Sequence, residues 1–411
     1  MAPLAFRPID ITEFPEFHRT LEETFGEDPR TADREQFQRV FEPKRSLAGF
    51  DGDRIISTAG FFSREMTLPG GPRPIAAVSL VSVAPTHRRR GVLTEMMRRQ
   101  LVELYEGQQE PVAALWASEG GIYGRFGYGS AAPRLVLTGR TADMRLRPGT
   151  DLGTGRVRLA GSEEARPYLA AVYDQARSDQ VGWLDRRDGW WAERLYDPEH
   201  ARTGSTALRF ALYEEADGQV TGYAAYRIKQ VWQEGWHNNS EVQVVELTAT
   251  TPPAYAAIWS FLVNLDLTPV IRKWCAPMDE PLQHLLVDPR GLRGDVLDSL
   301  WIRLVDLRRA LTERTYPVDV DVVLDVTDDF CPWNAGRWRL AAGPGGATCA
   351  PASAPADLAL TSTDLGTAYL GGITLSSLAA SGRVRELRAG ALAASQRAFA
   401  TDRAPWCPEV F

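Results

Sequence analysis

Residues 78–101 predict a buried strand, a tight turn and an amphipathic helix in direct succession. Val78 to Val83 is an apolar, β-branched run typical of a strand, and Pro85 ends it because proline fixes φ and has no N–H to donate. Arg88-Arg-Arg-Gly91 precedes the helix, whose apolar residues recur on one face. A helix start carries free backbone N–H groups and clustered arginines attract anions, so we expect a phosphate site here.

Two common phosphate-binding loops do not account for this segment. The sequence has no G-x-x-x-x-G-K-[ST] motif, and its glycine spacing does not fit G-x-G-x-x-G. A solvated basic helix terminus is the alternative. Positive charge at a helix N-terminus opposes the helix dipole unless an anion is bound, so we favour the anion site.

The segment resembles the pyrophosphate-binding part of the GCN5-related N-acetyltransferases (GNAT), where a strand precedes [Q/R]-x-x-G-x-[G/A] at a helix start. The frame here reads Arg88-Arg-Arg-Gly91-Val-Leu93, with Leu93 replacing the last small residue. The resemblance implies acetyl-CoA as cosubstrate, with the pantetheine arm paired to the backbone of one strand and the diphosphate held at the helix start. The residues implied are Val81, Ser82, Val83, Arg88, Arg89, Arg90, Gly91 and Val92.

Composition narrows the class of protein. With 411 residues and 12 tryptophans, the chain has enough apolar material for two or three domains. A net charge of -7 argues against nucleic acid as the main partner and suits a cationic substrate. Neither a signal-type segment nor a transmembrane stretch is apparent, so we expect a cytoplasmic protein that does not bind membranes. The four widely spaced cysteines suggest free buried thiols and no metal site.

We expect three domains, at 1–145, 146–294 and 295–411. The first reads as an α/β unit. A polar, glycine-rich stretch at 141–155 reads as a linker to a second unit, in which Val242 to Thr250, Pro252-Pro253 and Ala254 to Leu265 repeat the strand–proline–helix order without Arg-x-x-Gly. We therefore expect a duplicated fold whose second copy has lost the anion site.

The third segment resembles a sterol-carrier-protein-like α+β domain. Leu300 to Leu311 mixes strand and helix signals, Ala341 to Pro355 reads as a loop, and Val384 to Ala400 reads as helical. The expected fold class is therefore α/β and α+β, with tandem GNAT folds followed by a sterol-carrier-like domain.

The whole chain resembles the enhanced-intracellular-survival family of actinobacterial aminoglycoside N-acetyltransferases. The specific matches are Val81 to Gly91, Tyr123-Gly-Arg-Phe-Gly-Tyr128 and a chain ending in Phe411. The resemblance implies acetyl transfer to primary amines of aminoglycoside-like polyamines and a homohexamer. Acetylation of protein lysines is the alternative within the same chemistry, and a lipid-binding module is the alternative from another class.

The resemblance also implies the catalytic groups. Tyr128 would be the general acid, because a phenol stays protonated at neutral pH; Tyr123 is its competitor. The α-carboxylate of Phe411 would be the general base, with a structural plug as the alternative. Asp28 and Glu409 would supply acidic contacts to the amine, and Phe25 and Phe37 would form apolar walls; the alternatives are solvated charges and core aromatics.

Overall fold

The computed structural model describes residues 4–234 and 237–411. The described strands are, in chain order, β1 (Ala5–Arg7), β2 (Ser46–Asp51), β3 (Arg54–Leu68), β4 (Gly71–Val83), β5 (Val112–Trp116), β6 (Gly129–Arg140), β7 (Arg156–Ala160), β8 (Arg209–Glu214), β9 (Val220–Lys229), β10 (Trp232–Gln233), β11 (His237–Asn238), β12 (Glu241–Ala249), β13 (Val270–Ala276), β14 (Leu292–Leu304), β15 (Val320–Thr327), β16 (Gly336–Gly343), β17 (Gly346–Pro351), β18 (Leu358–Thr361) and β19 (Arg385–Glu386).

The described helices are α1 (Phe14–Phe25), α2 (Thr31–Phe37), α3 (Val92–Gly107), α4 (Ser162–Arg177), α5 (Asp188–Arg194), α6 (Pro252–Val263), α7 (Leu282–Leu285), α8 (Leu307–Glu313), α9 (Ser362–Ala368), α10 (Leu375–Ala380) and α11 (Ala391–Phe399). Within the described ranges, none of these helices has the length and apolar character needed to cross a bilayer.

The chain packs into two compact units that are discontinuous in sequence. The first unit contains the described residues up to Ala132, then Asp298–Pro405 and Glu409–Phe411. The second contains Pro133–Leu297 and Trp406–Pro408. The predicted linker at 141–155 contains one short 3₁₀ turn, Thr141–Asp143, and otherwise extended or irregular backbone.

The main sheet of the first unit has the order β1-β2-β3-β4-β5-β14. Neighbours pair antiparallel except β4 and β5, which are parallel because α3 returns the chain across the sheet. The mixed signal at Leu300–Leu311 is resolved: Leu300–Leu304 of β14 pairs with β5, and α8 follows. The sheet therefore takes its last strand from a segment far along the chain.

β4 and β5 separate before either strand ends. Their pairing covers Ala76 with Ala113 and Ala77 with Ala114, although β4 continues to Val83. Leu80 adopts a positive φ of 59°, and the β3–β4 register shifts at the same place. Such a β-bulge bends its strand and adds twist. The last residues of β4 are thereby left with one side unpaired by β5.

A second sheet in the first unit has the order β17-β16-β15-β18-β19. The loop predicted for Ala341–Pro355 is wrong, because β16 and β17 form a hairpin through Gly343 and Gly346. The helix predicted for Val384–Ala400 is wrong over its first part, where β19 lies, and α11 begins only at Ala391. The glycines and prolines of this stretch correctly indicate the hairpin turn. Their abundance also led to a loop being predicted where the flanking strands lie.

The second unit repeats the plan of the first. Its sheet has the order β6-β13-β12-β9-β8-β7, in which β12 and β13 are parallel and joined by α6. The expected strand–proline–helix repeat is therefore confirmed. The start of α6 differs, because the Thr251 side chain accepts a hydrogen bond from Ala254 N at 3.3 Å. One of the N–H groups that would face an anion is thus already used.

A buried ionic cluster in the second unit is centred on Glu246 of β12. Arg186 donates to both carboxylate oxygens of Glu246 at 2.9 and 2.7 Å, and Arg194 donates at 3.1 Å. The Tyr223 hydroxyl also donates to Glu246. Burial favours the neutral acid, yet the two arginines and these hydrogen bonds prevail and lower the pKa of Glu246 to about 2.

The cysteines do not pair. Cys275, Cys331, Cys349 and Cys407 are all buried free thiols, which confirms that expectation from the sequence.

Candidate active site

The first unit contains a cleft of about 550 Å³ where the end of β4, the start of α3 and the segment after β5 meet. Seven of the residues predicted to bind the cofactor line it: Val81, Ser82, Val83, Arg88, Arg89, Gly91 and Val92. The eighth, Arg90, is exposed and is not among the lining residues. The sequence segment that predicted an anion site therefore forms one wall of a cavity.

The start of α3 leaves its first amides without a side-chain cap. Gly91 is the N-cap, with a φ of 79°, and the described residues show no side-chain cap hydrogen bond at this helix start. Arg89, two residues earlier, has a φ of 59°. Left-handed residues in a turn direct successive N–H groups into one concavity, which is a common way to bind anions. The uncapped amides and the exposed arginines together favour a diphosphate.

The side chains around this turn fix its shape. Arg88 Nε donates to the carbonyl of Val83 at 3.3 Å, which links the turn to the end of β4. The ring of His87 contacts Thr86 Oγ1 at 2.8 Å and Asp51 Oδ2 at 3.2 Å. These hydrogen bonds hold the backbone between the strand and the helix.

The end of β4 presents backbone groups to the open side. Ala84 N donates to Ile56 O at 2.9 Å, on the β3 side. Because N–H groups alternate in direction along a strand, the N–H of Val83 points away from β3. The Ser82 hydroxyl, by contrast, hydrogen-bonds Thr58 Oγ1 at 2.7 Å and is buried. The Ser82 hydroxyl is therefore engaged inside the sheet, and by the same alternation its N–H faces β3 rather than the open side.

Two tyrosines follow β5. Tyr123 lines the cleft, and burial, with Glu119, raises its pKa to about 12. Tyr128 is 1% exposed and packs edge-on against Tyr123, with ring centroids 6.0 Å apart. Burial raises the pKa of Tyr128 above its ordinary value, while the charge of Arg303 opposes that rise. Both phenols are therefore protonated at neutral pH.

The last three residues dock on the main sheet of the first unit. The Ser79 hydroxyl of β4 donates to Phe411 O at 2.8 Å. Glu409 is buried and pairs with Arg64 of β3 at 2.9 Å. A buried ion pair two residues before the last one holds the segment against the sheet rather than leaving it as a solvated tail.

The remaining predicted substrate residues fall into different environments. Phe25 lines the cleft and is 52% exposed. Asp28 lies exposed in the loop between α1 and α2 and does not line the cleft. Phe37 is half-buried and packs against Phe62, with ring centroids 6.0 Å apart. Phe25 is the one of these three that the structure places at the cavity.

The sequence analysis missed several residues at the site. Thr24, Ser118, Glu119 and Arg125 line the cleft, and Arg64 and Ser79 hold the last residues. Glu119 precedes the tyrosine motif and Arg125 lies within it, so both could have been found from the motif. Arg64 and Ser79 carry no such signal, because each is a single polar residue in a strand.

The first unit has the features of one class of protein, the GNAT acetyltransferases. These features are a bulged strand, a parallel partner that diverges from it, and an uncapped helix start at their junction. Two acetyltransferase (GNAT) domain families match the chain, one at residues 5–131 and the other at 182–307. A sterol carrier protein domain family matches residues 307–408. The tandem GNAT and sterol-carrier fold expected from the sequence is thus confirmed.

Relatives match over nearly the whole chain. An uncharacterized N-acetyltransferase of Streptomyces avermitilis is 44% identical over 96% of both chains. The N-acetyltransferase Eis of Mycobacterium tuberculosis is 37% identical over 85% of this chain and 84% of its own. The crystal structure of Eis1 from Mycobacterium abscessus has a TM-score of 0.83 and 30% identity, covering 99% of this chain and all of that one. The chain belongs to the Eis family of GNAT N-acetyltransferases.

Proposed function

We propose that this N-acetyltransferase transfers acetyl from acetyl-CoA to a primary amine of an aminoglycoside-like polyamine, by direct attack in a ternary complex. The observation that carries the proposal is the uncapped start of α3 beside Arg88 and Arg89 at the wall of the cleft. Its amides and guanidiniums suit the diphosphate of coenzyme A.

The diverging strands suit the rest of the cofactor. The pantetheine arm carries amides that pair with an exposed strand edge, and the end of β4 offers one at Val81 and Val83. The N–H of Val83 is then placed to donate to the thioester carbonyl, on which negative charge develops as the amine attacks. These contacts orient the acetyl group, and positioning is a large part of catalysis for an already reactive thioester.

Tyr128 is proposed as the acid. The amine nitrogen bonds to the acetyl carbon, the carbon–sulfur bond breaks, and the thiolate takes the phenol proton. The phenol needs no tuning to hold that proton at neutral pH. Tyr123, which lines the cleft, remains the alternative donor.

The carboxylate of Phe411 is proposed as the base. Its contact with Ser79 places it on β4, the strand that carries Val81 and Val83. A carboxylate is a weak base toward an ammonium, so proton removal through a bridging water in a partly desolvated site is required.

The substrate class follows from charge and shape. The net charge is -7, and Glu119 lines the cleft together with the exposed ring of Phe25. An acidic group beside an apolar wall suits a polyamine built on sugar rings. Asp28, Phe37 and Glu409 are retained as proposed substrate contacts. From the resemblance alone, we also propose a homohexamer in the cytoplasm; light scattering on the purified protein tests the assembly.

The test is release of coenzyme A thiol from acetyl-CoA with three acceptors: kanamycin, a lysine peptide and none. The proposal predicts fast release with kanamycin, slow release with the peptide and background without acceptor. Preference for the peptide would instead support a protein lysine acetyltransferase. Background release with both amines would contradict amine acetylation, and lipid copurifying with the protein would then favour the lipid-binding alternative.

A further inference from the structure

We propose that Arg303 is a positioning residue for Tyr128, and that its buried guanidinium stabilises the negative charge on the phenol oxygen as the proton passes to the thiolate. The proposal rests on the proposed function, in which Tyr128 is the acid. It extends the site to a strand that is about 175 residues away along the chain.

Arg303 lies directly behind the tyrosine turn. It belongs to β14, pairs in register with Ala113 of β5 and has no exposed surface. Its guanidinium packs against the α-carbon of Gly127, where an added Cβ would come within 2.6 Å of Arg303 Cζ. Gly127 has a φ of 84° and immediately precedes Tyr128. Any side chain at 127 would therefore displace either the turn or the guanidinium.

Asp328 fixes one end of the guanidinium. Arg303 Nη2 donates to Asp328 Oδ2 at 2.7 Å, and both groups are fully buried. The carboxylate also accepts from Cys331 N at 2.9 Å and from Asn334 Nδ2 at 3.3 Å. Because several donors share the charge of Asp328, this carboxylate orients the guanidinium without neutralising its far edge, which carries Nε and Nη1.

That far edge faces the tyrosine turn at Gly127 and the Cys331 thiol, which hydrogen-bonds the guanidinium. In the described residues, Arg303 Nε and Nη1 have no nitrogen or oxygen partner. The groups that act electrostatically on Tyr128 are Arg303, the Tyr123 phenol and the Cys331 thiol, of which only Arg303 is a cation. In a dry interior a charge acts more strongly than in water, so this cation favours the phenolate against the effect of burial.

In each turnover one proton leaves Tyr128 and one proton returns to it. Tyr128 transfers its proton to the coenzyme A sulfur, the tyrosinate forms beside the guanidinium, and a proton from solvent restores the phenol before the next turnover. Without the cation, the same transfer would create an unscreened anion in an apolar cluster that includes Phe126 and Met97.

A double-mutant cycle separates this role from a structural one. Arg303→Met is combined with Asp328→Asn, so that no buried charge is left alone, and the pair of changes is made with and without Tyr128→Phe. If Arg303 acts through the phenol, the neutral pair lowers kcat about 10-fold or more when Tyr128 is present. In the Tyr128→Phe background it changes kcat less than about 2-fold, and KM for acetyl-CoA stays within about 2-fold in both.

Arg303→Lys is a second, milder variant that keeps the charge. When Tyr128 is present, the fall in kcat caused by Arg303→Lys should be no more than about half of the fall caused by the neutral pair. In the Tyr128→Phe background, Arg303→Lys should have no such effect. Arg314→Met is the matched control. It removes another buried arginine of the first unit, one that hydrogen-bonds the carbonyls of Tyr369 and Phe399, and should change kcat equally in the two backgrounds.

Two results would overturn the proposal, and they are distinguishable. An equal fall of kcat in both backgrounds, for the neutral pair or for Arg303→Lys, would show that Arg303 only supports the fold. An unchanged kcat in Tyr128→Phe itself would remove the acid role of Tyr128, and with it the role of Arg303.

Discussion

At the scale of single residues, the site combines backbone groups at the start of α3 with side chains that lie far apart in the sequence. Arg88 and Gly91 stand in a recognisable spacing, and the backbone at Gly91 needs the left-handed conformation that glycine adopts without strain. Arg64, Ser79 and Arg303 stand in strands with no local motif, and only the folded chain shows what they contact. Local pattern thus predicts the backbone anion site but not the side chains that support the catalytic groups.

Arg88→Ala tests the anion site at the scale of one side chain. Loss of a charge-assisted contact to the diphosphate should weaken acetyl-CoA binding by about 1–3 kcal/mol. Isothermal titration calorimetry measures it. Arg99→Ala is the control: it lies on the same helix, pairs with Glu95 on the surface and does not line the cleft. Equal affinities for wild type and Arg88→Ala would remove Arg88 from the site.

Glu409→Gln tests whether the buried ion pair holds the last residues in place. Leaving Arg64 without this carboxylate should lower the free energy of unfolding by about 3 kcal/mol, and turnover should fall with it. Urea denaturation and thiol release measure the two effects. Asp321→Asn, in an exposed pair with Arg339, should cost no more than about 1 kcal/mol. A similar small cost at both positions would contradict the anchoring role.

At the scale of elements, the two strand–helix–strand units show what periodicity predicts and what it misses. The order of strand, break and helix at β4–α3 and β12–α6 is readable because apolar spacing changes at a proline. The different helix starts depend on one side chain, Thr251, and one backbone angle, at Gly91. The pairing of β14 with β5 joins segments distant in sequence, and no local signal specifies such a register.

Gly91→Ala tests the helix start. The Cβ meets no atom within 4 Å, but the φ of 79° is unfavourable for alanine, at about 1 kcal/mol. The turn should relax, displace its amides and weaken acetyl-CoA binding. Gly218→Ala carries the same kind of strain, with a φ of 88° in an open turn of the second unit, and should leave binding unchanged. Calorimetry that found no difference between the two variants would argue against an amide-built site.

The ionic cluster of the second unit makes stability depend on pH. The pKa of Glu246 lies at about 2 in the folded chain, below the ordinary 4.5, so the folded state releases this proton more readily. The contribution, roughly 3 kcal/mol, is complete above pH 4.5 and is lost as pH falls toward 2. Urea denaturation across this window should show a shallower pH dependence for Glu246→Gln. The same slope in both proteins would contradict the assignment.

At the scale of the whole molecule, the tandem architecture was readable from the sequence because motif and repeat agree over most of its length. The boundaries after residues 145 and 294 stay predictions. The compact units cut the chain elsewhere, since β14 contributes to the main sheet of the first unit and residues 406–408 belong to the second. Discontinuous units form when segments far apart in sequence pack together. Local composition along the chain carries no signal for such packing.

The last residue offers a test of how the chain end takes part in catalysis. Deleting Phe411 moves the terminal carboxylate back to Val410, away from its place beside Ser79, but keeps Glu409, so turnover should fall at least about 10-fold while acetyl-CoA affinity stays within about 2-fold. Phe411→Ala keeps the terminal carboxylate at position 411 and should retain most of the turnover. Equal losses in the two variants would assign the role to the aromatic ring, and unchanged turnover after deletion would exclude the carboxylate as base.

A crystal structure with bound coenzyme A tests the account most directly. We predict the diphosphate within hydrogen-bonding distance of the first amides of α3 and of Arg88 or Arg89, with the pantetheine arm along Val81 to Val83. Coenzyme A bound elsewhere, with those amides facing only solvent, would contradict the assignment of this cleft to acetyl transfer.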